Sequence, residues 1–229
     1  MQESLMTFKA NDSLTEQIAQ YLEQRIILGE MKPSERIQEL RIAAELEVSR
    51  GSVREALLIL QRRHLVDIYP RRGAVVASIT ADDVRDFFEL WLLLLDRVVT
   101  TLAKNWKNED LARFFDLLTQ MDDCQRKSDL QGFYEHGMAF LHALYSHAEN
   151  RYLTDALDDL FPLTQRCLYA IMRAGQTQIT RTHRFLEDLL KVLIERDINR
   201  LHRMVFEFGA GYSQLAQDSA EALQGRAAL

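Results

Sequence analysis

Six arginines lie between residues 50 and 72, against only Glu55 and Asp67, so this stretch carries +4 in a chain whose formal charge is −6. A guanidinium presents paired N–H donors that match phosphate oxygens and the major-groove edge of guanine, so such a cluster is chemistry suited to a duplex. Spacing sorts the six into three sets. Arg50 and Arg54 fall in the first turns of a helix that begins after Val48-Ser49, where side chains can reach base edges and phosphates. Arg62 and Arg63, at the far end of that helix, read as solvated surface or phosphate contacts. Arg71 and Arg72, in Pro70-Arg71-Arg72-Gly73, fit the tip of a short hairpin. There Gly73 permits close approach, and arginine meets the negative potential of a minor groove. Elsewhere the balance differs: residues 1–77 hold 11 basic and 11 acidic side chains, whereas residues 78–229 hold 17 and 23. The basic face is local, as a site-specific reader of DNA needs, and the acidic total argues against non-specific nucleic-acid binding.

The elements that must position these arginines follow from hydrophobic periodicity. Ser13 caps a helix to about Leu28, with Glu16 at capping-box distance and a stripe of Leu14, Ile18, Tyr21, Leu22, Ile26 and Ile27. Gly29 stops it and Pro33 lies in the following loop. A second helix covers about Gln38–Glu47. After the tight step Val48-Ser49-Arg50-Gly51, a third runs Arg50–Arg63 and buries Val53, Ala56, Leu57 and Leu60. Leu65–Tyr69 and Ala74–Ala77 are β-prone and flank the Pro-Arg-Arg-Gly turn. The plan is a winged helix-turn-helix, with a generic helical hairpin as the alternative. After Ile79 the pattern is purely helical. Thr80 caps a helix over about Ala81–Asn105, followed by Asn108–Lys127, Asp129–Ala148, Arg151–Arg173, Thr177–Arg196 and Ile198–Ser219. The expected fold is mainly α: a winged helix with a small β-wing over residues 1–77, then an all-α six-helix bundle over residues 78–229.

Several classes are disfavoured. Cys124 and Cys167 have no metal-type spacing and read as free thiols of a reducing cytoplasm. Met1 to Ser13 is polar, so no signal peptide is visible. The most apolar run, Phe87–Val99, is broken by Glu89, Asp96 and Arg97 and is too short to span a bilayer, so no membrane partner is expected. No Gly-rich phosphate loop, nucleophile elbow or His-Glu-x-x-His is present, and Asp122-Asp123 and Asp158-Asp159 read as exposed helix edges, so no enzyme and no cofactor are expected. His136 and His142 are six apart and His142 and His147 five apart, which places neither pair on one helix face. His136 and His147 share a face but lie roughly 16 Å apart along it. His183 and His202 sit on different helices. No metal site is expected from these residues.

The runs Leu28-Gly29-Glu30-Met31-Lys32-Pro33 and Val48-Ser49-Arg50-Gly51-Ser52-Val53-Arg54-Glu55-Ala56-Leu57 resemble the signature of the GntR superfamily of bacterial transcriptional regulators. Ser34 stands where the family has a second glycine, and Ile27 where the leader has leucine. The helical second half resembles the effector-binding (FCD) domain of the FadR-type branch, and six helices there point to its VanR-like subgroup. The resemblance implies DNA contacts at Ser49, Arg50, Ser52 and Arg54, with Arg72 and Gly73 at the wing. It further implies a homodimer joined through the C-terminal domains and reading palindromic double-stranded operator DNA, with a small-molecule effector in the bundle.

Many members of that branch hold a metal with one Asp and three His. Registered on Asn150 and Asp197, those positions fall on Gly137, Leu141, Leu186 and Phe208, and an accompanying arginine falls on Leu92, just before Leu95-Asp96. Leu92, Asp96, Gly137, Leu141, Leu186 and Phe208 are therefore the candidate effector positions. A site so altered is apolar and favours a ligand with a hydrocarbon or aromatic body and a few polar handles, such as an acyl or aromatic acid. The alternative is a cavity simply filled by these side chains. Two other readings stay open: a metal- or organic-acid-responsive regulator using the bundle histidines, and a winged-helix adaptor that binds protein.

Overall fold

The computed structural model describes residues 13–227, so the polar opening segment that bears on a signal peptide lies outside the described residues. The chain divides into two compact units, split between Ser78 and Ile79.

In the first unit, α1 (Leu14–Ile27), α2 (Glu39–Glu45) and α3 (Arg50–Arg62) pack with a three-stranded antiparallel sheet of order β1-β3-β2. Ile18, Leu22 and Ile26 of α1 meet Val53, Ala56, Leu57 and Leu60 of α3 in a core also sealed by Leu65, Val66 and Val76. α2 is shorter than its periodicity predicts. The N–H of Val48 bonds back to the Ala43 carbonyl, and Glu47 takes a left-handed φ of 55°, which closes the helix and makes the turn. Ser49 then caps α3, its hydroxyl accepting the Ser52 N–H at 3.0 Å. β2 (Val66–Tyr69) and β3 (Gly73–Val76) form the wing in the register Val66↔Val76 to Tyr69↔Gly73. At its tip the Arg72 N–H returns to the Tyr69 carbonyl with Pro70 leading and Arg71 at φ 65°, the pattern of a type II turn. Gly73 follows at φ 84°, a backbone region that glycine fills without strain. β1 (Arg36–Ile37), which the sequence does not announce, pairs with Val75 and Ala74 of β3.

The second unit holds six helices among the described residues: α4 (Ala81–Asn105), α5 (Asn108–Arg126), α6 (Leu130–Tyr145), α7 (Arg151–Met172), α8 (Gln176–Glu195) and α9 (Ile198–Ala227). Thr80 and Asp83 form a reciprocal capping box at the start of α4. Asn150 caps α7, which continues through Pro162. α9 runs past the expected end at Ser219 to Ala227. Leu92 of α4 lies against Gly209 of α9, and Asp96 lies against His202, so these two long helices run antiparallel. A Cβ on Gly209 would sit 2.2 Å from Leu92 Cδ2, so glycine is what allows this approach. The core is apolar and aromatic and holds an internal polar link in which the Trp91 indole N–H donates to the Tyr145 hydroxyl at 2.7 Å. Burial pushes that phenol well above its ordinary pKa.

Candidate nucleic-acid interface and bundle cavity

α1 supports the recognition helix from behind and leaves its N-terminal end open. Ser49, Arg50 and Arg54 are exposed and Ser52 is half-buried; the Ser49 and Ser52 hydroxyls are 2.9 Å apart. Arg50 and Arg54 share one partner: the Glu39 carboxylate at the start of α2 lies 3.7 Å from the Arg50 guanidinium and 3.1 Å from that of Arg54. The hydrogen bond and charge of Glu39 raise the Arg54 pKa, so this group is cationic at every accessible pH. Arg71 and Arg72 are exposed at the wing tip beside the half-buried Gly73. Five of the six arginines, Arg50, Arg54, Arg62, Arg71 and Arg72, are thus exposed.

Arg63 departs from the expectation. Its side chain is three-quarters buried and is clamped between Glu16 at 2.7 Å and Glu23 at 3.0 Å, both on α1. It fixes α3 against α1 and is not part of the outer basic face. A long-range pair of this kind leaves no mark on local periodicity. The position of Glu39 is hidden for the same reason: an acid on α2 meets Arg50 and Arg54 only because the turn brings it to them.

In the second unit, Leu92, Gly137, Leu141, Leu186 and Phe208 come together around one internal void of about 70 Å³. Asp96 does not join them. It lies one turn further along α4, where antiparallel α9 presents His202, and its carboxylate meets His202 Nδ1 at 3.0 Å. The two polar groups at the void are Thr182 and Tyr212, whose hydroxyls are hydrogen-bonded to each other. Both hydroxyls also face the Gln178 carbonyl, that of Thr182 at 2.7 Å and that of Tyr212 at 3.5 Å. Burial raises the Tyr212 pKa against the opposing effects of Thr182 and Arg181, so the phenol stays protonated.

These residues do not fit a metal. The four positions that correspond to the family's ligands offer no oxygen, imidazole or thiolate donor, and among the described residues no group of three or more His, Cys, Asp or Glu is arranged to hold an ion. Three of the bundle histidines have other partners: His183 Nε2 lies 3.2 Å from the Leu118 carbonyl, His202 meets Asp96, and His142 packs edge-on against Phe161. No described helix is long and apolar enough to cross a membrane.

A capped helix presenting two exposed arginines, both within reach of Glu39, beside a basic wing and followed in the chain by an all-α unit with its own cavity, is the arrangement of a DNA-binding transcriptional regulator. Residues 14–76 match the model for bacterial regulatory proteins of the gntR family, and residues 86–208 match the FCD domain. The chain belongs to the FCD branch of the GntR family.

Its relatives include the HTH-type transcriptional regulator YdhC of Bacillus subtilis, 25% identical over 74% of this chain and 78% of that protein. Another is the HTH-type transcriptional regulator McbR of Escherichia coli, 25% identical over 65% of this chain and 67% of McbR. The gluconate operon transcriptional repressor of Bacillus licheniformis is 26% identical, over 69% and 64%. Among solved structures, E. coli McbR/YncC superposes with a TM-score of 0.74 at 21% identity, covering 94% of this chain and 99% of that one. A GntR-type regulator from Rhodococcus sp. RHA1 gives 0.70 at 22%, covering 93% and 99%. These likenesses establish the shared fold.

Proposed function

We propose that the protein is a cytoplasmic, homodimeric repressor whose winged helix, residues 1–77, reads a palindromic operator, and whose helical part, residues 78–229, dimerises and binds a small apolar or carboxylate-bearing effector. The observation that carries the DNA-reading assignment is the open N-terminal end of α3, with Arg50 and Arg54 outermost and Ser49 and Ser52 beside them. Arg71, Arg72 and Gly73 at the wing supply the second contact. Relatives named as gluconate operon repressors support repression over activation. Six helices in the second unit favour the VanR-like subgroup. A dimer is supported by Leu90 and Leu93, 49% and 60% exposed and one turn apart on α4, an apolar surface of the kind that a second copy covers.

The effector reading is supported by a void lined almost wholly by hydrocarbon at the positions where relatives with a metal site would need ligands. At about 70 Å³ it is smaller than the roughly 300–1,000 Å³ of drug-sized ligand sites, so a bound body must displace wall side chains. Such displacement can favour one arrangement of the bundle over another, which is how an effector would alter the spacing of paired recognition helices.

The tests are direct. Purified protein should bind DNA upstream of its own gene with an affinity that falls steeply as salt rises and exceeds that for random DNA. Equal affinity for both DNAs would reject operator reading. Fatty and aromatic acids should raise the melting temperature. A shift with citrate or zinc and none with any apolar acid would reject the effector class.

A further inference from the structure

We propose that the stacked rings of Phe185 and Phe208 are the gate to the bundle void, and that Arg181 and Arg184 just outside them seat the carboxylate of an amphiphilic acid whose hydrocarbon body passes the gate. This rests on the effector reading above and specifies its ligand as an anion with an apolar tail.

The two phenylalanines form a common wall. They line the internal void and also an open groove of about 570 Å³ on its outer side. Their rings are parallel to within 7°, with centroids 3.6 Å apart. On the void side the neighbours are hydrocarbon apart from Thr182 and Tyr212, whose hydroxyls are bonded to each other. On the groove side they are Gln176, Thr177, Thr180, Arg181, Arg184 and Asp188. Chemistry thus changes from apolar to cationic across one pair of rings. Arg181 lies 5.8 Å from the Phe208 centroid and 5.9 Å from that of Tyr212, so the cation is held at the aromatic wall itself. Gly211 makes room for it: a Cβ there would lie 2.5 Å from Arg181 Nη2. The one acid in the groove, Asp188, is bonded to Lys191 at 2.9 Å, and among the described residues neither Arg181 nor Arg184 is in a salt bridge. The guanidinium N–H groups are thus available to a ligand carboxylate, the anion they match in geometry.

The gate also explains how a small void could accept a ligand. The Phe185 side chain is half-buried, with one face of the stack toward the groove, and the space behind it is bounded by Trp91, Leu186 and Leu189. Rotation of the ring pair would join the void to the groove without unfolding a helix. The acid's head would then remain in the wet groove while its chain replaced ring contacts inside.

The test uses ω-bromodecanoate and ω-bromodecanol, whose bromine quenches an indole that it touches. Trp91 lines the void, whereas Trp106, the second of two tryptophans, lies beneath the Arg196 guanidinium outside it. In the full-length Trp106→Phe protein the remaining fluorescence reports the void alone. Bromodecanoate should quench Trp91 and bind about 10- to 100-fold more tightly than the alcohol. The pair Arg181→Ala and Arg184→Ala should abolish that preference and leave the alcohol's affinity unchanged. Phe185→Ala should speed quenching by both compounds. Equal binding of acid and alcohol to the parent protein, or loss of both from the double-arginine variant, would overturn the head-group seat while leaving an apolar effector in place. Quenching by neither compound would instead reject the apolar effector itself.

Discussion

Replacing Arg63 with Met tests how the recognition helix is held. Met keeps the apolar stem that packs at the end of α3 and removes the charge that bridges Glu16 and Glu23. Breaking a fully buried pair costs about 3–5 kcal/mol because the remaining charge is stranded. Here Arg63 is 25% and Glu23 15% exposed, so water recovers part of that, and about 2–3 kcal/mol is expected. For a unit of this size that is a fall of about 8–24 °C in the melting temperature of the winged helix. The pH dependence is the sharper signature. Burial holds the Glu23 carboxyl above its ordinary pKa, with Arg63 opposing. A carboxyl raised in the folded state contributes stability below its unfolded pKa and loses it as pH rises through the folded one. Without Arg63 that rise is larger, so the deficit of the variant should be full at neutral pH and shrink as Glu23 protonates in the acid range. Thermal melts of both proteins, followed by circular dichroism from about pH 4 to 7, measure the difference. An identical deficit at both ends would refute the assignment of Glu23 as the stranded charge.

Arg50→Ala should weaken operator binding by about 5- to 150-fold and relax the base preference at one position per half-site, read by fluorescence anisotropy against single-base operator variants. Arg72→Ala should weaken binding to all sequences alike and lower the salt slope by about one; a change in base preference without a change in slope would contradict its placement at the backbone or minor groove. Gly209→Ala drives a methyl into Leu92, and an overpacking cost of about 1–3 kcal/mol should appear in the melt of the bundle, together with loss of apolar-acid binding as Leu92 is pushed into the void. Burial raises the pKa of Cys167 to about 12, whereas Cys124 is only partly covered. A disulfide reagent at mildly alkaline pH should therefore titrate one thiol in the native protein and two in denaturant.

The sequence is most legible where local chemistry decides structure. The start of α3 is fixed by Ser49, whose cap is visible as a residue type before a periodic run, and the wing tip by Pro70 and Gly73. The short strand Arg36–Ile37 carries no such mark, since two residues have no period and its partner lies almost forty positions away in β3. The early end of α2 is equally hidden, because a Glu at position 47 does the work of the usual glycine. In the bundle, residues matched by register do meet at one void, but Asp96 does not, because the approach of α9 turns it toward His202. Phe185 and Arg181 offer no sequence signal at all. Their roles come from the face that α8 turns to α9, which periodicity alone does not specify.

The carboxylate of Glu39 has a further consequence for how the protein searches. If Arg50 and Arg54 hold DNA as proposed, a duplex that nears α3 must first displace this acid from them. Random DNA offers phosphates in exchange, a replacement that gains little; the right bases add donors and acceptors that the acid cannot match. The proposal therefore expects short sojourns on wrong sequence and the strongest hold at the one address where both arginines are fully repaid.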